Sequence, residues 1–330
     1  MNNKKIVIVS SYNCCHAFYT GRLPKMGEAV AGYRYDSFGA GKGTNQAIAA
    51  SRTGGQVGVI LCVGDDAYGR KAREVYELNG VDCRYMKVHS AEPTGSIGIF
   101  YGDNGHNQMV SVPGANACLA PEDIDKAEEL IRSSAIAGFQ FETNRATVAY
   151  AIKKACGLGL KTVLDPAPAL PLDDDLYPYI AFIKPNEFEA SILSGIQVRD
   201  VDSAFRAGET FLERGVREGA VITLGGEGCV FVTREKKMYF RAPDVKPVET
   251  IRAGDSFMGS FMAKLAEEKP IEQAIAYASC AAALVITKKG RMVDVFPSRK
   301  EVESLYQRYM TDRDSNIKYE FSDTGNRNRT

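Results

Sequence analysis

Short apolar runs alternate with amphipathic stretches along most of this chain. Ile6-Val7-Ile8-Val9 is apolar throughout, and runs of the same kind recur within 57–62, 135–140, 162–165, 180–184 and 221–224. A strand that is apolar on both faces is buried on both, as in a parallel sheet covered by helices. Between these runs, 43–52, 68–79, 121–132, 147–156, 187–193 and 204–214 space their apolar residues as helices do, with stops such as Gly54-Gly55 and Gly80. The alternation predicts an α/β fold: a central, mainly parallel sheet flanked by helices on both faces.

Two stretches break the rhythm. Residues 28–36 and 96–112 alternate apolar and polar positions, and Asp103-Asn104-Gly105 supplies a hairpin turn within the second. Too polar for the central sheet, they predict a small appendage of antiparallel strands, inserted at about 12–37 and 95–113, that covers a cleft. From Phe261 onward the chain turns helical, at 271–287 and 299–309. Residues 311–330 lack an apolar period and carry Gly325, Asn326 and Asn328, so a disordered tail is expected after a domain ending near 310.

Composition adds exclusions. The 330 residues are 45% hydrophobic and 25% charged, with 41 basic and 41 acidic side chains, so neither nucleic acid nor an anionic membrane is the expected partner. Eight cysteines occur without a C-x-x-C pair and read as reduced and mostly buried. No apolar run approaches the ~18 residues needed to span a bilayer, and the opening run is too short for a signal peptide. A cytoplasmic location is expected.

One segment concentrates chemistry. Thr250-Ile251-Arg252-Ala253-Gly254-Asp255-Ser256-Phe257-Met258-Gly259 places small residues and an acid at the head of an apolar-periodic stretch (Phe257, Phe261, Leu265), the pattern of a tight turn opening a helix. The first turn of a helix carries unpaired N–H groups at the positive end of its dipole, a seat for phosphate or for charge that develops in a reaction. On the rim of that seat the dipole would keep Asp255 ionised, ready to take a proton from a substrate hydroxyl. A plain N-cap would look the same in sequence.

Gly39-Ala40-Gly41-Lys42-Gly43-Thr44-Asn45-Gln46 is the second informative run, with glycines that let the backbone approach a ligand and a lysine for charge. It is not a Walker A loop, because Gly43 follows Lys42 and Asp36 stands where the first glycine belongs. Nor is it a dinucleotide fingerprint, because Gly39 and Gly41 lead to Thr44. Leu224-Gly225-Gly226-Glu227-Gly228 reads equally as a glycine hairpin. Lys184-Pro185-Asn186-Glu187-Phe188-Glu189 sets a polar pair where a strand ends and a helix begins, the place at which parallel sheets face their ligands.

Together and in this order, these runs resemble the ribokinase, or PfkB, family of carbohydrate kinases over about residues 4–310. Further likeness lies in Gly27-Glu28, Gly64-Asp65-Asp66 with Gly69, Thr94-Gly95, Gly114-Ala115-Asn116 and Asp165-Pro166-Ala167-Pro168. Ala167-Pro168-Ala169 and Thr287-Lys288-Lys289-Gly290 are nearest to the ribokinase branch. The resemblance implies a ribokinase-like domain whose β-sheet lid closes over the sugar, and transfer of the γ-phosphate of ATP to a hydroxyl of a pentose or related sugar. It makes Asp255 the base and the amides of Arg252, Ala253, Gly254 and Asp255 the charge-stabilising donors. It assigns Asn13, Gly41, Lys42, Asn45 and Glu142 to the sugar, Asn186, Thr223, Gly225, Gly226 and Gly228 to the nucleotide, and Glu189 to Mg²⁺ through water. Lid strands of such kinases pair subunits, so a homodimer is implied.

The chain departs from that pattern at Cys15, Arg252, Glu249 and Met258, the last in place of a common Asn. Family members carry an Asp two residues after the asparagine of the first strand end; here the position is Cys15, a weak donor and acceptor. Charge-assisted bonds worth about 1.5–3 kcal/mol each are lost, so either the sugar differs from ribose or His16 takes over. Arg252 stands where Ala or Gly begins the anion seat, and would either reach the transferred phosphate or fill its place and suppress turnover. Glu249 replaces the usual Asp and, with Ile251, maps near the family's monovalent-cation site, which leaves K⁺ activation open. Two rival readings follow: a nucleoside or other polyol kinase of the same fold, and a sugar or nucleotide sensor without turnover.

Overall fold

The apolar runs become neighbouring strands of one large sheet. The computed structural model describes residues 5–103, 106–290 and 294–321. Its first part contains β1 (Lys5–Val9), β2 (Asn13–Thr20), β3 (Gly32–Ala40), α1 (Lys42–Arg52), β4 (Gln56–Gly64), α2 (Ala67–Leu78), β5 (Asp82–His89), β6 (Gly95–Gly102) and β7 (Asn107–Val112). There follow α3 (Pro121–Lys126), α4 (Glu128–Arg132), β8 (Ile136–Phe139), α5 (Arg145–Gly157), β9 (Lys161–Leu164), β10 (Phe182–Ile183), α6 (Glu187–Ser194) and α7 (Val201–Glu213). The rest comprises β11 (Gly219–Thr223), β12 (Gly228–Val232), β13 (Lys236–Arg241), α8 (Ala253–Ala266), α9 (Ile271–Val285), α10 (Arg299–Thr311), α11 (Arg313–Asn316) and β14 (Ile317–Phe321).

The large sheet runs β14-β13-β12-β11-β10-β9-β8-β1-β4-β5. From β5 to β11 every neighbouring pair is parallel, and β12, β13 and β14 close the edge antiparallel. Strand side chains alternate between two cores. Ile6 and Ile8 join Phe257, Phe261 and Met262 of α8 on one face, while Val7 and Val9 join Val148 and Ile152 of α5 on the other. Each such fully buried side chain contributes roughly 1.5–3 kcal/mol. Because β1 sends the chain to β4 on one side and lies against β8 on the other, a ligand crevice is expected beyond its carboxyl end.

The polar stretches form a separate four-stranded sheet, β3-β2-β6-β7. Its outer pairs are antiparallel as the sequence suggests, but the central pair, β2 with β6, is parallel. Both strands set out from the carboxyl edge of the large sheet, β2 after β1 and β6 after β5, and so share a direction. Of the expected turn at 103–105, Asn104 and Gly105 lie outside the described residues.

Buried polar side chains tie this sheet to its base. Asn116 donates to the Tyr12 carbonyl and to Asn13 Oδ1, and accepts from the Tyr12 amide, at 2.9–3.0 Å. Asp66 caps α2 through the Gly69 amide and also accepts from the Thr94 amide and hydroxyl.

At the other end the structure differs from the expected disorder. Arg313–Asn316 is helical and Ile317–Phe321 pairs along β13, adding an edge strand to the sheet. Ile317 is buried beside Phe240, so one apolar anchor suffices where no period was visible. Residues 322–330 lie outside the described part.

Candidate active site

α8 begins at the carboxyl edge of the large sheet, in a crevice of about 650 Å³. Its N-cap, Arg252, lies in the left-handed region at φ 73°, and no side chain caps the helix. The leading amides of the helix are therefore left for a ligand, and Lys42, Asp165, Lys184, Gly254 and Asp255 line the space around them. Asp255 is not the cap but a first-turn residue, 7% exposed. Asn45 Nδ2 donates to its Oδ2 at 2.8 Å, Gln46 Nε2 to its Oδ1 at 3.3 Å, and Lys42 Nζ stands 3.9 Å away.

Burial pushes the Asp255 carboxyl up from its ordinary value, against the pull of Lys42, Asn45 and Lys184 and with a further push from Asp165. Desolvation thus outweighs the helix dipole that was expected to govern this group. A raised carboxylate is a stronger base, which suits proton removal from an alcohol. Burial also opposes the charge of Lys42, but Asp165 and Asp255 outweigh it and hold the ammonium above the usual lysine value.

Glycine brings these groups together. Gly41, at φ 125°, is the N-cap of α1, and a Cβ on it would stand 2.5 Å from the Ser11 carbonyl oxygen. That places the start of α1 against the end of β1. One turn further into α8, a Cβ on Gly259 would come within 2.3 Å of the Gln46 carbonyl oxygen and 2.7 Å of the Ala50 amide. The two helices therefore meet backbone to backbone, and Asn45 and Gln46 reach Asp255.

A second acid, which the sequence reading does not place in the site, lies deeper. Asp165, at the carboxyl end of β9, is 1% exposed. Gln46 Nε2 donates to its Oδ2 at 2.8 Å, Lys184 Nζ is 3.7 Å from Oδ1 and Lys42 Nζ 3.9 Å from Oδ2. Oδ1 has no hydrogen-bond partner. Glu189 closes a capping box with Asn186 at the start of α6, and burial and the Asp165 charge raise it. An orphaned buried carboxylate oxygen beside a second acid and a triphosphate-sized crevice fits a hydrated Mg²⁺. Lys184, which heads the Lys184-Pro185-Asn186 run but has no expected role, joins the site as well.

The remaining expected residues divide between the two sides. Glu142 accepts from the Ser11 hydroxyl at 2.6 Å and the Lys42 amide at 2.8 Å, and Asn13 is 4% exposed at the root of β2. Thr223, Gly225, Gly226 and Gly228 line the crevice on the side of α6. Gly225–Glu227 is a short turn closed by Leu224 N donating to the Gly228 carbonyl at 2.8 Å, so hairpin and crevice wall are one feature.

Cys15 is 2% exposed, and burial pushes its thiol up to about 12, so it is neutral. His16 does not replace the missing acid. Successive strand residues face opposite ways, and its Nδ1 bonds the Tyr35 hydroxyl at 2.8 Å on the other face of the lid.

At the two residues expected near a monovalent cation, the Glu249 side chain already has a cationic neighbour. The Glu249 carboxylate faces the Arg252 guanidinium at 3.8 Å, and the Ile251 residue is 47% exposed. A second cation there would be opposed by the first.

Comparison with known proteins agrees with this arrangement. The pfkB family carbohydrate kinase profile matches residues 3–298. The chain is 37% identical over 299 residues to a ribokinase of Haemophilus influenzae, covering 90% of this chain and 97% of that one. It is 32% identical to a deoxyribokinase of Salmonella typhi over 82% of this chain and 89% of that one. The structure of Arabidopsis thaliana ribokinase complexed with ribose and ATP superposes with a TM-score of 0.85 at 26% identity, over 92% and 98% of the two chains. Matched by that profile over residues 3–298 and by relatives over most of its length, the chain belongs to the pfkB family of carbohydrate kinases.

Proposed function

We propose that this carbohydrate kinase transfers the γ-phosphate of ATP to a hydroxyl of a pentose or closely related acceptor, with Asp255 as the base. The observation that carries the reading is the placement of Asp255 in the uncapped first turn of α8, held by Asn45 and flanked by Lys42. Asp255 accepts the hydroxyl proton as that oxygen attacks the γ-phosphorus, and the bond to the bridging oxygen breaks to release ADP. The amides of Ala253, Gly254 and Asp255 donate to the phosphoryl oxygens as charge builds on them. Lys42 adds a fixed positive charge. Glu189, Asp165 and Asn186 would hold the waters of a bound Mg²⁺, which would neutralise phosphate charge.

Glu142 and Asn13 orient the sugar beneath the lid, and the Thr223–Gly228 turn with Asn186 seats the nucleotide. Turnover, rather than sensing, is supported by the pairing of Arg252 with Glu249 and by the absence of a side-chain cap on the α8 amides. Exposed Phe18, Tyr35 and Phe100 on the outer lid face support a homodimer through the lid. The eight free cysteines support a cytoplasmic location. Coupled ADP release with ATP, Mg²⁺ and a panel of pentoses, hexoses and nucleosides tests the reading; no ADP with any acceptor would overturn it.

A further inference from the structure

A second cavity, of about 700 Å³, lies between the inner face of the lid and the loops that flank α8 and α9. Tyr19, Phe38 and Tyr101 give it aromatic walls, and Arg252 is the one residue whose surface it shares with the crevice of Asp255. The Arg252 side chain is nine-tenths buried. Among the described residues its guanidinium makes no hydrogen bond, and its one ion pair is the 3.8 Å approach of Nη1 to Glu249 Oε1.

Guanidinium carries five N–H donors on two usable edges. Glu249 occupies the Nη1 side. The edge formed by Nε and Nη2 has no acceptor among the described residues, and no Arg252 nitrogen is sealed from solvent, so that edge is open to an incoming partner. The other charges lining the cavity are Arg34 with Asp36, which pair with each other, and Lys289 and Asp294 at the mouth. Of the acids that line the cavity, Asp36 and Glu249 each face an arginine, and Cys15, the cross-strand neighbour of Phe38, is a neutral thiol.

We infer that the acceptor is a sugar acid: its carboxylate docks as a bidentate partner on Arg252 in the lid-side cavity while a hydroxyl at its other end reaches Asp255. This rests on the kinase reading above and adds the class of acceptor. A carboxylate matches the free edge of guanidinium in planarity and spacing, which a single hydroxyl does not. The cavity and the crevice meet at Arg252, so one small molecule can touch both.

The experiment compares kcat/KM for five- and six-carbon aldonates with that for the matching neutral aldoses, in the wild type, Arg252→Gln and Arg252→Lys. The wild type is expected to favour an aldonate by about 10- to 100-fold, the range of one charge-assisted bidentate contact. Arg252→Gln should bring the ratio near unity through KM, and Arg252→Lys should recover only part of it. Equal or better use of the neutral aldose by the wild type overturns the inference even if no variant folds. If no acceptor releases ADP, the kinase reading fails separately. Calorimetry with the aldonates then decides the site: binding that is lost in Arg252→Gln upholds it, and absence of binding overturns it.

Discussion

Asn45 and Asp255, 210 positions apart in sequence, are joined by a 2.8 Å hydrogen bond in which the amide of one fixes the carboxylate of the other. The bond orients the acid and leaves Oδ1 toward Lys42. Replacing Asp255 with Asn should therefore keep the fold and remove the base, lowering kcat by about 10²–10⁴-fold. ADP release at saturating ATP measures this. Retention of near-normal kcat would remove Asp255 from the reaction.

The same acid makes a pH prediction. Its folded pKa is raised, so the folded state holds the proton more tightly than the unfolded chain does. The stabilisation this gives is complete below the ordinary carboxylate range and is lost as pH rises through the raised value. Asp255→Asn should then melt at a higher temperature than the wild type near neutral pH, with the gap closing in acid. The wild-type rate should fall on acidification at a pH above that of an ordinary aspartate. A gap in Tm that does not change with pH would contradict both.

Gly259→Ala tests the seating of α8 on α1. The added methyl would meet the Gln46 carbonyl at 2.3 Å, a backbone atom that side-chain motion cannot relieve. A loss of about 1–3 kcal/mol is expected, with a fall in kcat beyond that of Gly254→Ala, whose methyl meets only the flexible end of Lys184 at 3.3 Å. Denaturant titration and ADP release on both variants give the comparison.

Cys15→Asp alone should not produce recognition of a neutral pentose, because the new carboxylate would be drawn to the Arg252 cation, whose charge already acts on the Cys15 thiol. Combined with Arg252→Ala it should, with a coupling between the two changes of about 1 kcal/mol or more, read from kcat/KM in a double-mutant cycle. Strict additivity would show that the two residues do not share a ligand.

Replacement of K⁺ by a bulky organic cation in the assay should leave the rate unchanged, since Glu249 already faces a resident guanidinium. A rate that requires K⁺ would place the ion elsewhere in this loop.

Much of this was readable from the chain, for reasons that differ by element. Strands β1, β4, β9 and β11 announce themselves because a strand buried on two faces must be apolar at every position. β5 and β13 do not, since each is partly exposed and carries charges such as Arg84 and Lys236 that mask the period. Asp255 and the glycine run are legible as a local turn before a helix. Asp165 is not, because its role comes from tertiary pairing with Lys42, Lys184 and Gln46. The edge strand at Ile317–Phe321 is not legible either, because one buried isoleucine and backbone pairing carry little composition signal.

The contact of Gly259 with the first helix has a consequence for how such an enzyme diversifies. Where two main chains touch without intervening side chains, no rotamer can adjust, so the proton-accepting oxygen and its tether form a rigid unit that tolerates little variation. Change is easier across the gap, on strands whose inward residues can be exchanged one by one, as at Cys15 of β2.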